Sequence, residues 1–327
     1  MILDKKVSLG FLPTPLHYMK NLSKKYNGYN IYIKRDDQTG LASGGNKTRK
    51  LEYLLYEAKE LNCDTLITAG AQQSNHCRQT AAAAAVAGME CHLMLDGTDS
   101  KKYNGNLLLS HLLGAKFHFN EGKRKGEDMA LLKAELEKKG KKCYIIPYGG
   151  SNTIGMLGYV NAVKELKQQL NELNLKVDYI FFSSSSGGTQ AGITLGKDLF
   201  ELNAQLMPVS IDKSETNGLS LEQNVLQIVN EGKHQLNIKK EYQLSDVNLI
   251  KGYDNKPYGV VSEDEVFAIN EFALSEGIIL DPVYTARAAF GMFDMMKNKK
   301  IKENSNVLFW HTGGLPANFY YADKLHQ

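Results

Sequence analysis

The strongest constraint on this chain is a rhythm. Short apolar runs of strand length alternate with longer segments of helical period, and each run gives way to small or hydroxyl residues. CDTLITAG (63–70), ECHLMLDG (90–97), AKFHFN (115–120) and KCYIIPYGG (142–150) come first. VDYIFFSSSSGG (177–188), QLMPVSID (205–212), GIILDPVYT (277–285) and NVLFWHTGG (306–314) follow. Continuous apolar runs of this length read as strands buried on both faces, and alternation with helices predicts an α/β fold with parallel sheets. Ligands of such folds sit just beyond the carboxyl ends of the strands. The candidate site residues are therefore Ser74, Asn75 and His76, the serines and glycines of 183–189, Tyr284 with Thr285, and His311 with Thr312.

Bulk properties narrow the function classes. The chain has 327 residues, enough for about two domains. A net charge of +3 gives no reason to expect nucleic acid or a membrane surface as partner. No apolar run approaches the ~20 residues of a membrane span. The opening MILDKKVSLGFLPTP lacks the apolar core and cleavage pattern of a secretory signal. Cys63, Cys77, Cys91 and Cys143 form no CxxC pair and no Cys/His cluster of zinc spacing. They read as free thiols of a reducing compartment, so a cytoplasmic location and no metal are expected.

Three stretches carry chemistry. In SGGNKTRKLEYLLYEAKEL a helix begins at Lys47, with Arg49 and Lys50 in the same turn. Cations are disfavoured at a helix N-terminus, where the dipole favours anions. Lys47 is either a solvated charge or a nucleophile, and three cations together suit a bound anion. In SSSSGGTQAGITLG, glycines allow backbone N–H groups to approach an oxyanion, and Thr189 adds a donor at a helix start. The pattern is a phosphate cup, or else a plain strand-to-helix turn. It is neither a Walker loop nor GxGxxG. In AGAQQSNHCRQTAAAAAVAG, Ser74 or Asn75 caps an alanine-rich helix, and the same geometry holds a carboxylate. His76 is read as a packed or capping residue more readily than as a catalyst. A lysine, a phosphate cup, an asparagine donor and hydroxyls at strand ends together suit pyridoxal 5′-phosphate, whose aldehyde takes a lysine amine.

The chain resembles the tryptophan-synthase-β-like, fold type II pyridoxal-phosphate enzymes. Within them it is similar to the 1-aminocyclopropane-1-carboxylate (ACC) deaminase / D-cysteine desulfhydrase family. The likeness runs from LPTPLHYMKNLSKKYNGYNIYIKRDDQTGLASGGNKTRKLEYLLYEA through GAQQSNHCRQTAAAAA, GGSNTIGMLGY, SSSSGGTQAG and LDPVYTARA to WHTGGLPA. It implies two open, twisted, mostly parallel-sheet α/β domains with the cofactor in the cleft between them. The larger would comprise 1–44 and 158–327, the smaller an inserted 45–157. A homodimer is also implied.

By the same resemblance Lys47 is the Schiff-base lysine and Lys50 helps hold the phosphate. Asn75 partners the cofactor's 3′-oxygen. Ser74 with the amides of Asn75 and His76 takes the substrate carboxylate, and Ser74 also has a part in proton transfer. Gly187, Gly188 and Thr189 form the cup, and Tyr258 and Tyr284 are the active-site tyrosines. By this resemblance the two activities differ at the cofactor's ring nitrogen: ACC deaminases carry a glutamate and a leucine where this chain has Thr285 and Thr312, whereas desulfhydrases carry hydroxyl residues. Both threonines are expected beside the cofactor, Thr312 with the stronger claim to the nitrogen and Thr285 as its neighbour. The expected reaction is elimination from D-cysteine to pyruvate, ammonia and hydrogen sulfide. ACC deamination and L-cysteate sulfo-lysis are the alternatives, and a non-catalytic pyridoxal-phosphate-binding protein is disfavoured by the full set of site residues. Two departures stand out: Ala286-Arg287 replaces a common glycine-lysine pair, and the cup is rich in serine.

Overall fold

The computed structural model describes residues 2–213, 215–216 and 218–326. Among the described residues nine strands form two sheets. Strands β1 (Leu16–Tyr18), β2 (Tyr29–Arg35), β7 (Tyr179–Ser184), β8 (Gln205–Ser210) and β9 (Ser305–His311) make a five-stranded sheet of order β1-β2-β9-β7-β8. Only the β1–β2 pairing is antiparallel. Strands β3 (Thr65–Gly70), β4 (Glu90–Leu95), β5 (Lys116–Phe119) and β6 (Cys143–Ile145) make a four-stranded parallel sheet of order β5-β4-β3-β6.

Both sheets are covered on both faces, which is why their strands read as continuous apolar runs. Alternate residues of a strand serve opposite layers. Phe181 and Phe309 pack with Phe272 and Met292 under the helices Glu263–Glu276 and Thr285–Lys297. Phe182, Leu308 and Trp310 pack the other way, against Tyr159 and Ile193. In the smaller sheet Leu66 and Leu93 face Leu54, Ala81 and Ala84, while Ile67 and Ala69 face Met129 and Leu132. Truncating one of these large buried side chains to alanine costs about 3–5 kcal/mol.

The sequence and the structure differ in two places. The segment GIILDPVYT is apolar and mostly buried, with Gly277 and Ile279 exposed, but joins no sheet. Asp281 accepts the backbone N–H groups of Val283, Tyr284 and Thr285, which turns the chain into a helix instead of a ladder. Conversely, β1 and β2 were not among the runs that announced themselves as strands. β2 is buried in strict register with β9, from Tyr29 opposite Ser305 to Arg35 opposite His311. Its alternation is blurred by a buried lysine, Lys34.

The arrangement that matters for function is the convergence of strand ends. β3 ends at Gly70, just before Ser74, and β7 ends at Ser184, just before the glycine loop. β9 ends at His311, just before Thr312. These carboxyl ends meet at one cleft.

Candidate active site

Residues from both sheets line the cleft. They include Lys47, Ser74, Asn75, His76, Tyr148, Ser183, Gly187, Thr189, Tyr284 and Thr312. Among the described residues no carboxylate lines it.

Lys47 opens the helix Lys47–Glu60. The loop before it is held by its backbone: Asn46 N–H donates to the Thr312 carbonyl at 2.9 Å, and Gly45 N–H to the Thr39 hydroxyl at 2.8 Å. Gly44, at φ +69°, leaves no room for a side chain, since a Cβ there would stand 1.9 Å from the Asp37 carbonyl oxygen. Lys47 is only partly covered, yet its amine lies deep enough that burial draws its pKa down to about 8. At neutral pH a useful fraction is therefore the free amine.

Lys50, one turn on, is fully buried. Its Nζ donates to the Gly149 carbonyl at 3.1 Å and to Ser151 Oγ at 3.3 Å. Burial, and then the charge of Lys47, push its pKa well down. A Cβ added to Gly188 would lie 3.0 Å from that Nζ, so Lys50 reaches the rim of the glycine loop. Arg49 does not join them. Its guanidinium turns away into a buried network, with Nη2 2.8 Å from Asp36 Oδ1 and 2.9 Å from Glu165 Oε1. The expectation of three cations around one anion is thus corrected to two. Arg49 instead anchors the Lys47 helix to the turn after β2 and to the helix Leu157–Glu172.

The glycine loop follows β7. Gly187, at φ +86°, precedes the helix Gly188–Leu199. Gly188 N–H meets Ser151 Oγ at 3.1 Å, and Asn46 Nδ2 donates to Thr189 Oγ1 at 3.1 Å. The Thr189 hydroxyl thereby keeps its own proton for a ligand. Helix dipole, glycine amides, Thr189 and Lys50 converge on one anion-sized cup.

After β3, Ser74 caps the helix Asn75–Ala87, its Oγ accepting from Cys77 N at 3.2 Å. The amides of Asn75 and His76 stand in the first turn, where no carbonyl of their own helix can take them. The His76 ring points into the core. Thr68 donates its hydroxyl to the Ile146 carbonyl at 2.8 Å, so His76 Nε2, 2.8 Å from that oxygen, is the donor between them. Burial, then the charges of Lys47 and Lys50, keep the imidazole neutral. His76 can thus serve a ligand through its backbone while its ring packs.

The tyrosines and threonines divide unequally. Tyr284 lines the cleft, and its hydroxyl is hydrogen-bonded to that of Tyr258, one step further out. Burial holds both phenols well above their usual pKa, so both carry their protons at neutral pH. Thr312 lines the cleft, with Oγ1 3.2 Å from Ser183 Oγ. Thr285 does not line it. Its hydroxyl donates to Asp281 Oδ1 at 2.7 Å and accepts from Asp281 N at 2.7 Å. Of the two threonines expected beside the cofactor, Thr312 therefore borders the cleft, with Ser183 as the neighbouring hydroxyl, and Thr285 does not.

Several site residues carried no sequence signal on their own. Tyr148 receives a 2.7 Å hydrogen bond from Arg124, whose guanidinium lies 4.3 Å from the Tyr258 ring centroid and pairs with Asp212. Ser151 bridges Lys50 and the glycine loop. Arg78 could have been noticed, because it falls one turn after Asn75 on the same helix.

A lysine of lowered pKa, a donor-lined phosphate cup and the Asn75 amide fit pyridoxal phosphate. Comparison with known proteins agrees. Residues 7–313 match the family of pyridoxal-phosphate dependent enzymes, and the chain belongs to that family. Within it the chain belongs with the D-cysteine desulfhydrases and ACC deaminases. It is 40% identical over 319 residues to a D-cysteine desulfhydrase of Klebsiella pneumoniae, covering 96% of this chain and 95% of that one. It is likewise 40% identical over 327 residues to a Thermotoga maritima protein provisionally named a 1-aminocyclopropane-1-carboxylate deaminase, covering 98% and 99%. A crystal structure of an ACC deaminase homologue superposes with a TM-score of 0.90 at 36% identity, covering 99% of this chain and 97% of that one. The protein is a pyridoxal-phosphate-dependent enzyme of fold type II. The described residues contain no helix long and apolar enough to cross a membrane.

Proposed function

We propose that the protein is a carbon–sulfur lyase that converts D-cysteine and water to pyruvate, ammonia and hydrogen sulfide. The observation that carries this reading is the cleft wall at Thr312 and Ser183. It offers hydroxyls and, among the described residues, no carboxylate. A hydroxyl is too weak an acid to hold a pyridine nitrogen protonated, so the ring draws electrons only moderately. That suffices when a good leaving group departs from Cβ. It serves poorly for opening a cyclopropane.

Bound pyridoxal phosphate supplies an electrophilic aldehyde and a ring that delocalises charge from the carbon beside the substrate amine. The chain supplies the rest. Lys47 would hold the aldehyde, and the cup of Gly187, Gly188, Thr189 and Lys50 would hold the phosphate. Ser74 and the amides of Asn75 and His76 bind and orient the substrate carboxylate. As a free amine of pKa close to the working pH, Lys47 takes the Cα proton, with Ser74 in the same cleft as relay. The hydrogen-bonded phenols of Tyr284 and Tyr258 keep their protons and donate one to the departing sulfide. Cα–H and Cβ–S bonds break, and water later enters as ammonia leaves.

L-Cysteate sulfo-lysis would need a cation free for a sulfonate. Arg124 is the guanidinium nearest the phenols, and Asp212 offsets its charge. The deciding assay incubates holoenzyme with D-cysteine, L-cysteine and ACC in parallel and measures sulfide, pyruvate and 2-oxobutyrate. Sulfide with pyruvate from D-cysteine is expected. 2-Oxobutyrate from ACC as the main product would overturn the reading.

A further inference from the structure

Behind Asn75 lies a buried cation that the chemistry above does not use. The side chain of Arg78 is fully buried. Nη1 donates to Asn75 Oδ1 at 3.3 Å and to Asn106 Oδ1 at 2.7 Å, and Nη2 donates to the Gly44 carbonyl at 2.6 Å. Asn106, also buried, donates Nδ2 to Asn75 Oδ1 at 2.8 Å and to the Gln73 carbonyl at 2.9 Å.

Two donors on Oδ1 settle which way the Asn75 amide faces. A flipped amide would set its NH2 against two N–H groups. The Nδ2 of Asn75 is therefore turned toward the loop of Gly313 and Gly314 at the cleft. It lies 2.9 Å from where a Cβ on Gly314 would stand.

The charge of Arg78 is also unusual. Among the described residues no carboxylate pairs with it, and its Nε has no hydrogen-bond partner. Asp281 acts on it only at a distance and is itself occupied by three backbone N–H groups and the Thr285 hydroxyl. A buried unpaired guanidinium is costly unless an anion arrives nearby. The third contact, to Gly44, ties the same guanidinium to the loop that presents Lys47.

We propose that Arg78 is a positioning residue: it fixes the Asn75 amide as a donor and supplies the positive potential that holds the cofactor's 3′-oxygen as an oxyanion. This rests on the reading that Asn75 meets that oxygen. With only hydroxyls at the ring nitrogen, the balance of charge is kept at the opposite edge of the ring, by Asn75 and the arginine behind it.

The test compares holoenzymes carrying Arg78→Met, Arg78→Lys, Asn75→Ala and the Arg78→Met/Asn75→Ala pair. Two quantities are read: the visible absorption of the bound cofactor, and its dissociation constant. Arg78→Met is expected to move part of the visible absorption to shorter wavelength and to weaken cofactor binding about tenfold. Arg78→Lys should restore part of the absorption. The double variant should bind cofactor within about twofold of Asn75→Ala alone, because one residue acts through the other. An unshifted Arg78→Met spectrum beside a shifted Asn75→Ala spectrum overturns the inference alone. An unshifted Asn75→Ala spectrum overturns the reading of Asn75 on which it rests. If Arg78→Met does not fold, Asn106→Leu removes the second donor to Oδ1. A smaller shift in the same direction then supports the inference, and none overturns it.

Discussion

Two strand-to-helix junctions meet at the cleft, and they are built differently. After β3 the junction is made of side chains: Ser74 caps its own helix, and Asn75 is braced by Arg78 and Asn106. After β7 it is made of absence: Gly187 and Gly188 bring the backbone close at a helix start, where Ser151 Oγ takes the Gly188 N–H and Thr189 and Lys50 stand at the rim. Both present first-turn amides that no carbonyl of their own helix can take. The glycine junction admits a group that approaches the backbone closely and stays, as a phosphate does. The capped junction satisfies Cys77 N through Ser74 and leaves the amides of Asn75 and His76 for a ligand. Under the proposed function the glycine junction retains the cofactor phosphate and the capped junction takes the substrate carboxylate.

The largest effect should come from Lys47. Lys47→Ala should lower turnover at least about a thousandfold while leaving both junctions folded, as circular dichroism and a thermal melt would check. In the cofactor-free protein only the neutral amine attacks the aldehyde. Its pKa is drawn down to about 8, so the rate of cofactor capture should rise as pH climbs toward that value and level off above it. Stopped-flow absorbance would follow this. A rate still climbing steeply well above pH 9 would show an amine of ordinary basicity.

Gly188→Ala breaks the glycine junction. The added Cβ would stand 2.8 Å from Ser151 Cα and 3.0 Å from Lys50 Nζ. Cofactor affinity should fall about ten- to hundredfold, measured by equilibrium titration, with little change in the KM for amino acid. Thr312→Val and Thr285→Val separate the two threonines. The first should cut kcat/KM about tenfold with little loss of stability. The second should lower stability by about 1–3 kcal/mol, because it strands buried groups of Asp281, and leave the products unchanged. Ser74→Ala gives the smallest change. It should raise KM and lower kcat, each severalfold, and cost about 1 kcal/mol of stability through the lost cap, with the cofactor's absorption intact.

The junctions explain what was legible in the sequence. Both are local: strand, turn and helix lie within about twenty residues, so SSSSGGTQ and QSNH display their chemistry in order. Most of the strands were legible for the same reason, being apolar runs of the right length. What escaped depends on distant partners. Arg49 looked like a phosphate cation because Asp36 and Glu165 come from elsewhere in the chain. Thr285 looked like a ring-nitrogen partner because nothing local says that Asp281 folds back onto it. GIILDPVYT has the hydrophobicity of a buried strand, but Asp281 takes the N–H groups that a ladder would need. Arg287, flagged only as a departure from the family pattern, is buried and donates to Glu265 and to the carbonyls of Ile211 and Val260. It thereby braces the loop that carries Tyr258.

The central claim is that the wall at Thr312 leaves the ring nitrogen without a proton donor strong enough to protonate it, and that this selects elimination. The most direct test is the NMR shift of that nitrogen in holoenzyme loaded with isotope-labelled cofactor at neutral pH. The account predicts the shift of an unprotonated, hydrogen-bonded pyridine, unchanged in Thr285→Val and altered in Thr312→Val. A protonated pyridine would contradict it.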